Sequence, residues 1–119
     1  MTPEQEVARK KRAVRAAQRM LTAELGLVYG AKRVREALFH LGSDVPKRFP
    51  AFDSFLDAIP LATPLGELRL LCQEALLLSS DRILAAVEAE YRQSLLRECL
   101  SVINVYESSG KQNVLAAED

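Results

Sequence analysis

The sequence is poor in the residues that build chemical sites or covalent scaffolds. It holds two cysteines, Cys72 and Cys99, and one histidine, His40, in 119 residues. Two thiols are too few for a disulfide framework. Both fall inside apolar helical patterns, where a free cysteine behaves as a small hydrophobe, so buried thiols in a reducing compartment are expected. Uninterrupted apolar runs are only a few residues long, as at Ala75 to Leu78, against the roughly 20 needed to span a bilayer. The stretch Met1 to Arg12 is highly charged and has no apolar centre, so it is not expected to act as a secretory signal. No repeat, low-complexity tract or Gly-rich phosphate loop is visible. A cytoplasmic protein is the expectation.

Net charge is also missing. Sixteen basic side chains balance sixteen acidic ones, which argues against a bulk polyanion binder. The balance hides an asymmetry. Residues 1–60 hold eleven Lys or Arg and seven Asp or Glu, a net +4, whereas residues 61–119 hold five and nine, a net −4. Either the halves neutralise each other in the fold, or each presents a patch to a partner.

What is present is helical periodicity. Thr2-Pro3-Glu4-Gln5 has capping-box spacing with proline at the first helical position. The helix it starts runs to about Ala23, with Val7, Ala13, Val14, Ala17, Met20 and Leu21 on one arc and Lys10 snorkelling from it. Glu24-Leu25-Gly26 breaks the pattern, and Glu24 is read as an acceptor for an exposed helix N-terminus. Leu27, Ala31, Val34, Leu38 and Leu41 mark a second helix, stopped by Gly42. Gly30 inside it marks a close helix crossing. Residues 42–52 read as a loop pinned by Phe49, Phe52 and Phe55. Asp53 to Ile59 makes two turns before Pro60. Thr63-Pro64 starts a helix toward Leu78, with Leu65, Leu68, Leu71 and Cys72 on its stripe. Ser79-Ser80-Asp81 starts the longest helix, Asp81 to Glu107, with Glu88 and Arg92 as an i,i+4 pair. Ser108-Ser109-Gly110 ends it. The expected fold is all-α: an irregular bundle of four to five helices in one domain over residues 1–110, with a flexible tail over 111–119. The long last helix also offers a dimerisation surface.

The most visible polar feature is a basic stripe on the first helix. Six of the eleven residues from Arg9 to Arg19 are positive and none is acidic. Such a cluster neutralises phosphate or carboxylate; the blander reading, given more weight, is a solvated face paired with the acidic half. No aromatic is interleaved with it, which weakens single-strand stacking. Lys32, Arg33 and Arg35 imitate a recognition helix without a helix-turn-helix signature. His40, beside a helix end, reads as structural or solvent-facing. Neither cysteine has a partner at metal-ligand spacing, Ser79-Ser80 reads as a cap, and Glu67 with Glu74 is too sparse for a carboxylate site. No catalytic residue, metal or cofactor is expected.

Three segments in order carry a resemblance: Ala16-Ala17-Gln18-Arg19-Met20-Leu21-Thr22-Ala23-Glu24-Leu25, Gly30-Ala31-Lys32-Arg33 and Pro64-Leu65-Gly66-Glu67-Leu68-Arg69. Together they resemble a group of small all-helical bacterial proteins of unknown function. These carry Ala-Arg-x-x-Leu-x-Gly-Glu-Ile, Gly-Ala-Arg and Pro-x-Gly-Glu-x-Arg segments. Ala23 stands where that group has Gly, and Lys32 where it has Arg. The resemblance implies no chemistry for any residue. It suggests a protein-binding role of the immunity-protein or antitoxin kind, with a toxin as the partner. Arg9, Arg12, Arg15 and Arg19 would meet an acidic partner surface, and Glu88, Glu90 and Glu98 a basic one. A small nucleic-acid-binding regulator is the alternative.

Overall fold

The computed structural model describes residues 1–60, 63, 65–71 and 73–118, with residues 66, 67, 71 and 108–118 described as backbone alone. Four α-helices and two 3-10 turns follow in the order α1 (Pro3–Leu21), α2 (Leu27–Leu41), a 3-10 turn (Val45–Arg48), α3 (Pro50–Ala58), a second 3-10 turn (Gly66–Leu71) and α4 (Glu74–Glu118). No strand occurs among the described residues, so the chain is an all-α bundle as its periodicity predicts.

α1 begins as the sequence indicates. Thr2 Oγ1 accepts from the Gln5 amide and Gln5 Oε1 accepts from the Thr2 amide, both at 3.1 Å. Its end is less ordinary. The Glu24 amide donates to the Arg19 carbonyl at 3.0 Å and the Ala23 amide to the Met20 carbonyl at 3.2 Å. This is the Schellman arrangement, which needs a left-handed residue after the cap. That residue is Ala23, with φ 61°, where glycine would cost nothing. The chain then doubles back, and Arg9 Nη1 donates to the His40 carbonyl at 2.9 Å, so α2 runs antiparallel to α1.

The close crossing expected at Gly30 is real. Met20 fills the notch there, and a Cβ on Gly30 would fall on Met20 Cγ. On its far side the Met20 thioether meets the buried Cys99 thiol of α4, Sγ to Sδ 3.6 Å. Ala13 and Ala17 are also fully buried, which lets α1 lie close between α2 and α4.

α3 starts three residues earlier than predicted, at Pro50, because proline suits the first helical position. The predicted loop over 42–52 is therefore shorter and contains a 3-10 turn. Phe49, Phe52 and Phe55 are buried, as expected. Phe49 lies 6.2 Å from Tyr106 and Phe55 5.9 Å from Tyr91 between ring centroids, so α3 runs antiparallel along α4. Fully burying one such ring contributes about 1.5–3 kcal/mol.

The largest departures concern α4. Ser79-Ser80-Asp81 does not start a helix, because α4 already runs from Glu74 through these residues. The Asp81 carboxylate is engaged from outside: Arg69 Nη1 and Nη2 reach Oδ1 and Oδ2 at 2.6 and 3.0 Å, strapping the second 3-10 turn to α4. That turn takes the place of the first part of the helix expected from Thr63-Pro64 to Leu78, whose last five residues are helical within α4. Leu68 and Leu70 on it are exposed, whereas Pro64 and Cys72 lie outside the described residues. The stop expected at Ser108-Ser109-Gly110 does not occur either. The α4 backbone continues to Glu118, through the stretch read as a tail, and the side chains from Ser108 on lie outside the described residues. At 1.5 Å per residue α4 is about 65 Å long, which accounts for the 62 Å long dimension of the molecule. Leu95, Cys99 and Val102 carry its fully buried contacts, whereas Leu76, Leu78 and Ile83 upstream are exposed.

Two stability measurements check this account. Gly30→Ala is expected to destabilise the protein by about 1–3 kcal/mol through overpacking. In a Met20→Ala background the same change is expected to stabilise by up to about 1 kcal/mol, because only the helix-propensity gain is left. Ala23→Gly is expected to raise unfolding stability by about 1 kcal/mol by relieving the left-handed alanine. Urea denaturation of the five proteins reads all three differences.

Candidate partner-binding groove

The 3–4 spacing of α1 places Arg12, Arg15 and Arg19 along one edge of the α1–α2 hairpin. The same spacing on α2 places Arg33, Glu36 and His40 along the facing edge. Between them lies an open groove of about 340 Å³, floored in part by Ala16, Leu25 and Ala37. Arg19 is tethered, with its Nε 3.2 Å from Glu24 Oε2. Arg33 is braced by Tyr29: its Nε donates to the phenol oxygen at 3.2 Å and its guanidinium carbon sits 5.3 Å from the ring centroid. Glu36 Oε1 is 3.8 Å from His40 Nε2. Arg12 and Arg15 are exposed and take no ion pair within the chain among the described residues.

The structure separates the basic residues that the stripe grouped together. Arg9 is half-buried and committed to the α2 C-terminus, where a cation complements the helix dipole. Lys10 pairs with Glu6 at 3.3 Å. Arg35 pairs with Asp53 Oδ1 at 2.6 Å, which removes it from any recognition face on α2. Arg12, Arg15 and Arg19 are brought together. The acidic residues are not. Glu98 is half-buried, and its Oε1 accepts from the Ala51 amide at 3.4 Å, supplying the N-terminus of α3 with an acceptor from α4. Glu88 is half-buried and Glu90 exposed, and two residues apart they point about 200° from each other around the helix. Glu88 forms no ion pair with Arg92 among the described residues. Glu24, read as a cap for a helix N-terminus, instead pairs with Arg19; Gly26 caps α2 without a side-chain bond.

Arg33, Glu36 and His40 are the groove residues that one-helix reasoning does not collect. Their signal is that their spacing matches that of Arg12, Arg15 and Arg19, and it becomes visible only when the two helices are known to be neighbours.

Lys10–Glu6, Arg19–Glu24, Arg35–Asp53, His40–Glu36, Arg48–Asp44 and Arg69–Asp81 each have both members on the same side of residue 60.

Cys99 makes no candidate nucleophile. It is fully buried, and burial, helped by the neighbouring Glu98 charge, pushes its thiol from the ordinary 9.0 up to about 12. Among the described residues no three His, Cys, Asp or Glu side chains converge as a metal site. No helix among them is long and apolar enough to cross a membrane. Comparison of the chain with protein-family models, with curated proteins and with solved structures gives no match.

The raised thiol has a stability consequence. Its contribution is whole below pH 9.0, where the unfolded thiol is also protonated, and is lost as pH rises toward about 12. Half-buried Tyr106, also raised by burial, adds to the same alkaline loss. Stability is expected to fall above about pH 9, and Cys99→Ala to flatten but not abolish that slope. Denaturant titrations across this range measure it, and a variant with unchanged slope would contradict the assignment.

Proposed function

We propose that the protein is a non-enzymatic, cytoplasmic protein-binding module, most concretely an immunity protein or antitoxin that neutralises a toxin by direct binding. The observation that carries this reading is the α1–α2 groove. Its exposed guanidinium groups, Arg12 and Arg15, form no ion pair among the described residues, and its tethered ones, Arg19 and Arg33, are held in place. Fixed, forked donors suit carboxylates and lose little freedom on binding. The partner surface is therefore acidic, and the positive groove steers its approach.

A nucleic-acid partner uses the same cations less well. The floor of the groove is partly apolar, formed by Ala16, Leu25 and Ala37, which suits a protein surface better than a phosphate backbone. Arg9 and Arg35, which a phosphate-tracking stripe would add, already hold partners within the chain, the His40 carbonyl and the Asp53 carboxylate. A second copy of the chain is a separate kind of partner and engages a different surface.

The test is functional. The product of the adjacent gene is expected to arrest growth when expressed alone, and co-expression of this chain to restore it. Arg12→Glu with Arg15→Glu is expected to lose the rescue while folding normally, since both side chains are exposed. Tight retention of mixed DNA or RNA by the wild-type protein, weakening steeply with salt, would instead assign the groove to nucleic acid.

A further inference from the structure

α4 has a second face that is left exposed among the described residues. At 100° per residue, Ala86 lies directly across the helix from Leu95, one of its buried anchors. Around Ala86 the helix exposes large apolar side chains, Leu76 and Ile83 on one side and Leu100 on the other. It also exposes charges: Arg97, eleven residues on and about 20° from Ala86 around the helix, and a pair placed symmetrically one turn away, Arg82 four residues before Ala86 and Glu90 four residues after it. Neither Arg82 nor Glu90 forms an ion pair within the chain among the described residues.

We propose that this face is the interface of an antiparallel homodimer whose twofold axis passes at Ala86. In such an isologous contact each residue before Ala86 meets the one equally far after it on the other copy. Arg82 then meets Glu90 of the partner subunit, and the pair occurs twice. Ser79 meets Gln93 of the partner subunit, and Leu76 meets Leu96 of the partner subunit. Ile83 packs on Ala89 of the partner subunit, and the small side chains of Ala86 and Ala89 let the two helices approach closely. Parallel pairing in register would oppose Arg82 to Arg82 and Glu90 to Glu90, so the charges select both the occupant and its direction. This face shares no residue with the α1–α2 groove, so the dimer and the arginine groove stand or fall separately.

Charge reversal tests the register. Sedimentation velocity over a concentration series is expected to show a reversible dimer for the wild-type chain. Arg82→Glu and Glu90→Arg are each expected to raise the dimer dissociation constant about tenfold or more, because each places like charges together twice. The double variant, with the pair reversed, is expected to return to within about threefold of wild type. All four proteins should keep the same far-UV circular dichroism, since both positions are exposed. A wild-type chain that stays monomeric throughout overturns the proposal. So does a dimer indifferent to the single reversals, or one that the double variant fails to restore.

Discussion

The fold depends on one close contact, the Met20 thioether seated in the notch at Gly30 and against the Cys99 thiol. Three helices meet there. A methionine is suited to it, because its flexible thioether fills an irregular gap. The gap exists because α2 presents a hydrogen atom at position 30 in place of a methyl group. With α1 held at that distance, Ala13 and Ala17 bury completely and the two long helices share a small-residue seam. The Schellman turn at Ala23 follows from the same constraint. The chain must reverse within a few residues to bring Gly30 back onto Met20, and a strained alanine is tolerated at the reversal.

The placement of charge follows from this packing. Antiparallel α1 and α2 bring Arg9 to the end of α2 and leave Arg12 and Arg15 facing the solvent. α3 lies along α4, so Glu98 meets the amide of Ala51. Arg9 and Glu98 are thus consumed as helix-end partners, whereas Arg12, one turn from Arg9, stays exposed. The zero net charge of the chain is the sum of two halves of opposite sign, and the identified ion pairs close within each half.

How much of this was legible in the sequence varies by element. The first helix and its cap, the second helix with its glycine stop, and the three buried phenylalanines follow from spacing alone. The Gly30 crossing follows from a glycine placed against helix propensity. The region from Thr63 to Asp81 misleads because its start signals are local: a Ser-Ser-Asp cap is worth about 1 kcal/mol, and a continuing helix with Arg69 available to bind Asp81 outweighs it. Ser108-Ser109-Gly110 misleads likewise, since one glycine costs a helix about 1 kcal/mol and does not by itself end it. Arg12, Arg15 and Arg19 of the groove are legible as a stripe that also sweeps in Arg9, whereas Arg33 joins them only across the hairpin.

The sequence by itself determined the all-α class, the apolar face of each principal helix and the surplus of positive charge on α1. These are properties of period and composition, and they do not depend on what lies beside a helix. Only the tertiary structure decided which charges are free. An arginine's role depends on whether a carbonyl or carboxylate lies within about 3 Å of it, and the nearest such group to Arg9 is 31 residues away along the chain.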